Sequence, residues 1–129
     1  MKRESQMKSL VGGLPVKGVR LGAVRAPVYK NKERDDLLLM AFDQGSIGAC
    51  VTTTNQFCAA PVHVLRAHLT STPSVRYWLL NAGNANAGTG ALGMEACRQT
   101  VSSLALLTDV SDDAIRSEEH TSELQSPCN

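Results

Sequence analysis

The chain has 129 residues, of which 43% are hydrophobic and 19% charged, an ordinary globular composition that excludes a disordered chain and fits one domain. Thirteen Lys and Arg against twelve Asp and Glu leave a formal charge of +1, and aromatic residues make up only 4%, which argues against a nucleic-acid surface. The longest apolar run, Leu37 to Phe42, is far shorter than the about 20 residues of a membrane span, and no signal peptide is evident. We therefore expect a cytoplasmic protein with neither a nucleic-acid nor a membrane partner.

The N-terminal half is predicted to consist mainly of strands. Residues 1–13 are charged and unpatterned, which indicates a loose start. Val16 to Val24 alternates apolar and polar side chains and predicts a half-exposed strand, whereas Leu37 to Phe42 predicts a buried one. After the turn residues 43–46, Ile47 to Thr54 is predicted as a further strand that forms a hairpin with Leu37–Phe42.

The second half alternates helices and strands. Pro61 suits the first position of a helix, whose apolar stripe is then Val62, Leu65 and Leu69. Val75 to Leu80 predicts a strand, and residues 90–108 predict a longer helix with the stripe Met94, Cys97, Val101, Leu104 and Ala105. Residues 111–113 are typical of the cap of another helix. This order predicts an α/β fold in which helices pack on a mixed sheet.

The cysteines and histidines form neither a disulfide framework nor a metal-binding pattern. Cys50, Cys58, Cys97 and Cys128 are widely spaced and include no C-x-x-C pair, so we expect small buried thiols. His63 and His68 stand five positions apart, which places them about 140° from each other around a helix, too far to share a metal ion. No metal site is predicted.

The C-terminal residues indicate an unusual origin. Residues 116–126 translate back, in frame, to the start of a widely used sequencing-library adapter. We interpret residues 116–129 as an artefactual adapter-derived tail that is set aside from the fold, as a fusion scar would be. Residues 14–115 then form the N-terminal part of a larger domain whose reading frame was cut after Ile115.

The loop between Asn81 and Gly90 carries the strongest candidate site. It holds more amides than a turn needs, since one Asn or Gly supplies the left-handed φ. A loop of this kind at the end of a strand can present amide side chains and backbone N–H groups to a small molecule, or it can be a loop of caps and turns alone. The candidate pocket residues are Asn81, Gly83, Asn84, Asn86, Gly88 and Thr89.

Two phosphate-binding patterns overlap this loop. Residues 88–93 spell the dinucleotide fingerprint G-x-G-x-x-G, but the first glycine stands well beyond the preceding strand and no βαβ partner is evident. The acidic residue required about 20 positions later would be Asp109, which falls at a helix end. Residues 83–88 have the glycine spacing of a phosphate loop, but Thr89 replaces the required lysine. A nucleotide-binding module on residues 88–93 is therefore the weaker alternative.

Three segments together resemble a known family. Residues 14–22 (LPVKGVRLG), 53–62 (TTNQFCAAPV) and 81–90 (NAGNANAGTG) are similar, in order, to the N-terminal portion of the bifunctional glutamate N-acetyltransferases (ornithine acetyltransferases) of arginine biosynthesis. The resemblance extends from about Leu14 to Ile115. One departure is Val51-Thr52, where the family has an apolar pair with an aromatic, so we expect this part of the chain to pack less well.

The resemblance implies an acyltransferase that moves acetyl from N-acetylornithine to glutamate, without a cofactor and with acetyl-CoA as a further acetyl donor in bifunctional members. It implies the self-processing αββα fold, self-cleavage into two chains and a heterotetramer. The nucleophile would be the N-terminal threonine of the second chain, and a Thr-Gly pair would form the oxyanion hole. Neither has a counterpart in this sequence, so no catalytic residue is carried over and we expect the chain to be inactive by itself. An aminopeptidase or amidase of the same self-processing fold is the alternative.

Overall fold

Four strands form one mixed sheet in the computed structural model, which describes residues 15–26, 35–82 and 86–119. The elements in chain order are β1 Val19–Val24, β2 Leu37–Phe42, α1 Ala60–Ser71, β3 Tyr77–Asn81, α2 Gly90–Thr108, a 3₁₀ turn Asp112–Ala114 and β4 Ile115–Glu119. The packing of both helices against this sheet confirms the predicted α/β class. The predicted loose start, residues 1–13, lies outside the described residues.

The strand order is β1-β2-β3-β4. β2 is apolar throughout because it lies inside the sheet, antiparallel to β1 on one edge and to β3 on the other. β3 and β4 are parallel, with Tyr77 opposite Ile115, so β3, α2 and β4 form a βαβ crossover. The ends of β3 and β4 therefore point the same way, towards the loop that precedes α2.

The predicted strand Ile47–Thr54 is wrong. The structure has one isolated bridge in this segment, between Ile47 and Ser74. A hairpin with β2 cannot form because both edges of β2 are already paired, with β1 and β3. The side chain of Val51 is fully exposed, in line with the expectation that this part of the chain packs less well. The segment turns towards α1 instead of joining the sheet.

The hydrophobic core lies between α1, α2 and β4. Its buried members are Ala60, Val64, Cys97, Val101, Ala105 and Ile115, with Met94 and Leu104 packed against them. The predicted stripe of α2 is therefore confirmed. The stripe of α1 is rotated relative to the prediction, since Val62, Leu65 and Leu69 are only half-buried. The buried face of α1 continues to His68, whose Nδ1 lies 2.9 Å from the carbonyl oxygen of Ile115.

The segment after α2 forms a single 3₁₀ turn, with Ser111 at its N-cap position, and no further α-helix. The residues predicted as a helix cap lead into the short 3₁₀ turn and then directly into β4. Arg116 of β4 is only 3% exposed and donates hydrogen bonds to the carbonyl oxygens of Thr72 (3.0 Å) and Ser74 (3.1 Å). Its burial lowers the pKa of the Arg116 guanidinium from the ordinary value. Residues 116–119 thus take part in the sheet, while the adapter origin of residues 116–129 stays a proposal.

Neither helix in the described part of the chain combines the length and the apolar character needed to cross a bilayer.

Candidate functional site

The six candidate residues of the loop do not all meet in one place. Asn86, Gly88 and Thr89 lie together at the start of α2. Asn81, the last residue of β3, lines a separate depression of about 220 Å³ beside β2. Gly83 and Asn84 fall outside the described residues. The described part of the candidate site is therefore the segment 86–91.

Asn86 connects this segment to both helices. Its backbone is left-handed, with φ of 36°, and its side chain is 5% exposed. The side-chain Nδ2 donates to the carbonyl oxygen of Gly93 at 2.8 Å, and Oδ1 accepts from the hydroxyl of Thr89. The Asn86 carbonyl accepts from the backbone N–H of Ala60, at the start of α1. Asn86 therefore fixes the loop between the first turns of α1 and α2.

Gly93 is required by close approach rather than by backbone conformation. A Cβ at this position would collide with the hydroxyl and Cβ of Thr89 and with Oδ1 of Asn86. The last glycine of the G-x-G-x-x-G pattern thus makes room for the loop's own side chains. The expectation that no βαβ partner exists is wrong, because β4, most of which is interpreted as the adapter-derived tail, pairs parallel to β3.

A cleft of about 360 Å³ opens between this loop and the start of α1. It lies at the N-termini of both helices, and neither helix has a side-chain cap or an acidic residue in its first turn. Pro61 has no N–H, and the N–H groups of Ala60 and Val62 already donate to Asn86 and Ala59. The N-terminus of α2 therefore carries the partial positive charge that favours an anionic group in the cleft. The lining residues are Cys58, Ala60, His63, Gly88, Thr89, Gly90, Ala91 and Met94.

Two residues of the cleft wall, Cys58 and His63, form a polar cluster with Arg66, which lies beside the cleft. The Sγ of Cys58 lies 3.3 Å from Nε2 of His63, and Nη1 of Arg66 donates to the same sulfur at 3.7 Å. Spacing along the sequence does not reveal this cluster, because the fold brings Cys58 and Arg66 to His63. The i, i+3 spacing of His63 and Arg66 on α1 is a signal that favours their shared face.

The two histidines have different surroundings, and the thiols differ in exposure. His68 faces the carbonyl of Ile115, whereas His63 faces the cleft. Cys97 is buried as expected, but Cys50 is exposed and Cys58 half-buried, so the expectation of buried thiols is wrong for Cys50.

Within residues 15–26, 35–82 and 86–119, no three side chains of His, Cys, Asp or Glu come together as metal ligands.

A second, apolar groove of about 410 Å³ lies between α1, Trp78 and the segment 49–53. None of the six candidate residues lines it.

Comparisons with known proteins give a consistent result. The model of the ArgJ family matches residues 20–118. The chain is 47% identical over 93 residues to the arginine biosynthesis bifunctional protein ArgJ of Methylococcus capsulatus, covering 72% of this chain and 22% of that protein. It is 46% identical over 101 residues to the protein of the same description from Pseudomonas syringae pv. tomato, covering 78% of this chain and 24% of that protein. The chain thus spans about a quarter of the length of these curated relatives.

Solved structures share the fold. The arginine biosynthesis bifunctional protein ArgJ of Bacillus halodurans aligns with a TM-score of 0.75 at 21% identity, over 85% of this chain and 56% of that one. The ornithine acetyltransferase of Mycobacterium tuberculosis, solved in complex with ornithine, aligns with a TM-score of 0.71 at 28% identity. That alignment covers 85% of this chain and 58% of the other.

Proposed function

Since this chain belongs to the ArgJ family, we propose that the protein acts in arginine biosynthesis as an acetyltransferase that moves acetyl from N-acetylornithine to glutamate. The observation that carries the proposal is the family match over residues 20–118, together with 43% to 47% identity to bifunctional ArgJ proteins. The shared mixed sheet and helices support the same assignment.

The proposed chemistry is acyl transfer through a covalent intermediate. Self-cleavage creates an N-terminal threonine, whose amine takes the proton of its own hydroxyl as the oxygen attacks the acetyl carbonyl. Ornithine leaves, acetyl rests on the threonine, and the amine of glutamate then attacks. A Thr-Gly pair stabilises the oxyanion of each tetrahedral intermediate. No residue among the 129 is assigned to these catalytic roles.

The described residues are proposed to contribute to substrate binding. The N-terminus of α2 at the cleft suits a carboxylate, which N-acetylornithine and glutamate both carry. Gly88 and Thr89 line the cleft, and Asn86 bonds the Thr89 hydroxyl and the Gly93 carbonyl beside them. We place the carboxylate of the amino-acid substrate at this position.

The remaining features are proposed on the resemblance to the family alone. We propose cytoplasmic location, no cofactor, acetyl-CoA as an additional acetyl donor, and assembly of the two self-cleaved chains into a heterotetramer.

The function is tested on the gene restored by sequencing the locus beyond codon 115 without the adapter. The expected result is N-acetylglutamate formation from N-acetylornithine and glutamate, with parallel lines in double-reciprocal plots because acetyl is held on the enzyme between substrates. Acetate release from N-acetylornithine without any transfer to glutamate would identify a hydrolase and contradict the proposal.

The binding role of the cleft is tested by Ala91→Glu in the restored enzyme. Ala91 lines the cleft in the first turn of α2, where an acidic residue is favourable for the helix. Folding should be retained, whereas repulsion should raise KM for glutamate about tenfold or more. Ala91→Gln is the matched control of nearly equal size. Equal KM values for the two variants would exclude a carboxylate from this cleft.

A further inference from the structure

Cys58 stands in surroundings that differ from those of the other described thiols. It is half-buried just before α1, with an imidazole nitrogen 3.3 Å from its sulfur and a guanidinium nitrogen at 3.7 Å. It also lines the cleft, so an incoming molecule can reach it. We propose that Cys58 is a modification site, a thiol that forms a mixed disulfide with an anionic low-molecular-weight disulfide of the glutathione class.

His63 supplies the base for this step. When the ring carries its hydrogen on Nδ1, Nε2 accepts the proton of the Cys58 thiol. The resulting thiolate attacks one sulfur of the incoming disulfide. One S–S bond breaks and a new bond forms at Cys58 Sγ, while the other half departs as a thiolate and takes a proton from His63 or from water. The disulfide itself is the oxidant, so the step balances without any further reactant.

Arg66 lies on the other side of the attacking sulfur and donates an N–H to it. Its Nε donates to the hydroxyl of Thr52 at 3.1 Å, and its Nη2 donates to the carbonyl of Thr53. These two bonds fix the guanidinium with Nη1 facing the sulfur. A positive charge beside the sulfur offsets the negative charge that develops on it while the thiol proton moves to His63.

The cleft selects the chemical class of the ligand. The N-terminus of α2 opens into the cleft and none of the lining residues is acidic, which favours a molecule with carboxylates. The volume of about 360 Å³ suits a small peptide-like group. An adduct on Cys58 would occupy the space beside Gly88 and Thr89. The inference rests on the cluster and the cleft and does not depend on the proposed acetyl transfer.

The test uses the 129-residue chain with limiting oxidised glutathione, followed by peptide mapping of each cysteine. Exposure alone would make Cys50 react first, because it is exposed and Cys58 only half-buried. The proposal instead predicts about tenfold faster modification at Cys58 than at Cys50. The uncharged disulfide of 2-mercaptoethanol should reduce this preference several-fold. Faster reaction at Cys50 than at Cys58 would overturn the proposal that Cys58 is the modification site. If the ratio of the rates at Cys58 and Cys50 is the same with both disulfides, the proposal that the ligand is anionic is overturned.

The roles of the neighbours are tested by His63→Gln and Arg66→Gln. Each should slow modification of Cys58 about fivefold or more and leave the rate at Cys50 unchanged. Arg98→Gln, at an exposed position on α2, is the control and should change neither rate. Cys97, 1% exposed, reports on folding in the same sample, since it stays unmodified while the core is intact. If a variant exposes Cys97, the modification rates of Cys58 and Cys50 in the unaltered chain decide whether Cys58 is the modification site. Unchanged rates at Cys58 in both folded variants would overturn the assisted mechanism.

Discussion

Asn86 is the residue on which the loop geometry depends. It combines a left-handed backbone with a buried amide that bonds to Gly93 and Thr89. We predict that Asn86→Ala lowers the free energy of unfolding by about 1–3 kcal/mol, because a Cβ-bearing residue without polar partners takes this φ unfavourably and the Gly93 carbonyl loses its side-chain donor. Urea denaturation measures the change.

Asn86→Gly separates the cost of the left-handed backbone from the loss of the side-chain hydrogen bonds. Glycine tolerates the left-handed φ but cannot form the hydrogen bonds. We expect the glycine variant to be more stable than the alanine variant and less stable than the parent chain. A glycine variant as stable as the parent would show that the amide contributes nothing.

Asp113 couples the end of α1 to the turn before β4, and it makes stability depend on pH. The hydroxyls of Ser111 and Ser71 each donate to its carboxylate at 2.6 Å, and these bonds hold the pKa of Asp113 below its ordinary value of 3.8. A lowered folded-state pKa stabilises the fold above the unfolded pKa, and this contribution is lost as pH falls through the folded value.

We therefore predict that Asp113→Asn reduces the fall in melting temperature between pH 5 and pH 2.5, about the range over which the carboxylate titrates. Thermal melts at a series of pH values measure it. Asp35→Asn, at an exposed position, is the control. A parallel pH dependence of the parent and Asp113→Asn would show that the two serine hydrogen bonds do not favour the ionised carboxylate.

At the scale of elements, replacing Gly93 of α2 by alanine should have the opposite effect on stability from the usual one. Gly→Ala inside a helix normally stabilises by up to about 1 kcal/mol. At Gly93 the added methyl would overlap Thr89 and Asn86, so we predict that Gly93→Ala destabilises the chain by about 1–3 kcal/mol. Chemical denaturation shows whether the free energy of unfolding falls, as predicted, or rises.

The comparison variant is Ala96→Gly, at an exposed position of the same helix. It should destabilise by about 1 kcal/mol through helix propensity alone, which shows how α2 responds without a collision. A stabilised Gly93→Ala would mean that the loop moves away from α2 at little cost.

The elements that the sequence predicts well are those whose signals are local. α1 follows from Pro61 and from the stop at Thr72-Pro73, and α2 from an apolar stripe that its buried residues reproduce. The error at Ile47–Thr54 has a different cause. A run of apolar and β-branched residues predicts a strand, but pairing depends on a free edge, and β3 occupies the one that this segment would need.

At the scale of the whole molecule, the site depends on contacts that sequence spacing does not contain. The loop at residues 86–91 is predictable as a candidate from its glycines and amides. The hydrogen bond from the loop to the start of α1 cannot be predicted in the same way, because Ala60 and Asn86 meet only once β3 and both helices have packed. The approach of Arg66 to Cys58 likewise depends on the non-strand course of residues 52 and 53. The sequence therefore indicates the wall formed by Gly88 and Thr89 but not the wall formed by Cys58 and His63.

The distribution of apolar side chains over the folded chain leads to a final prediction. Leu106 and Leu107, adjacent on the outer face of α2, are each 85% exposed. Burying a leucine side chain gains about 1.5–3 kcal/mol, and apolar surface of this kind favours association. We predict that the chain self-associates as its concentration rises and that the double variant Leu106→Gln/Leu107→Lys weakens association about tenfold or more. Sedimentation velocity over a concentration series measures it. Ser103→Lys, at an exposed position of α2, adds the same charge without removing apolar surface and should have little effect. If Ser103→Lys weakens association equally, net charge and not the leucine pair controls the assembly.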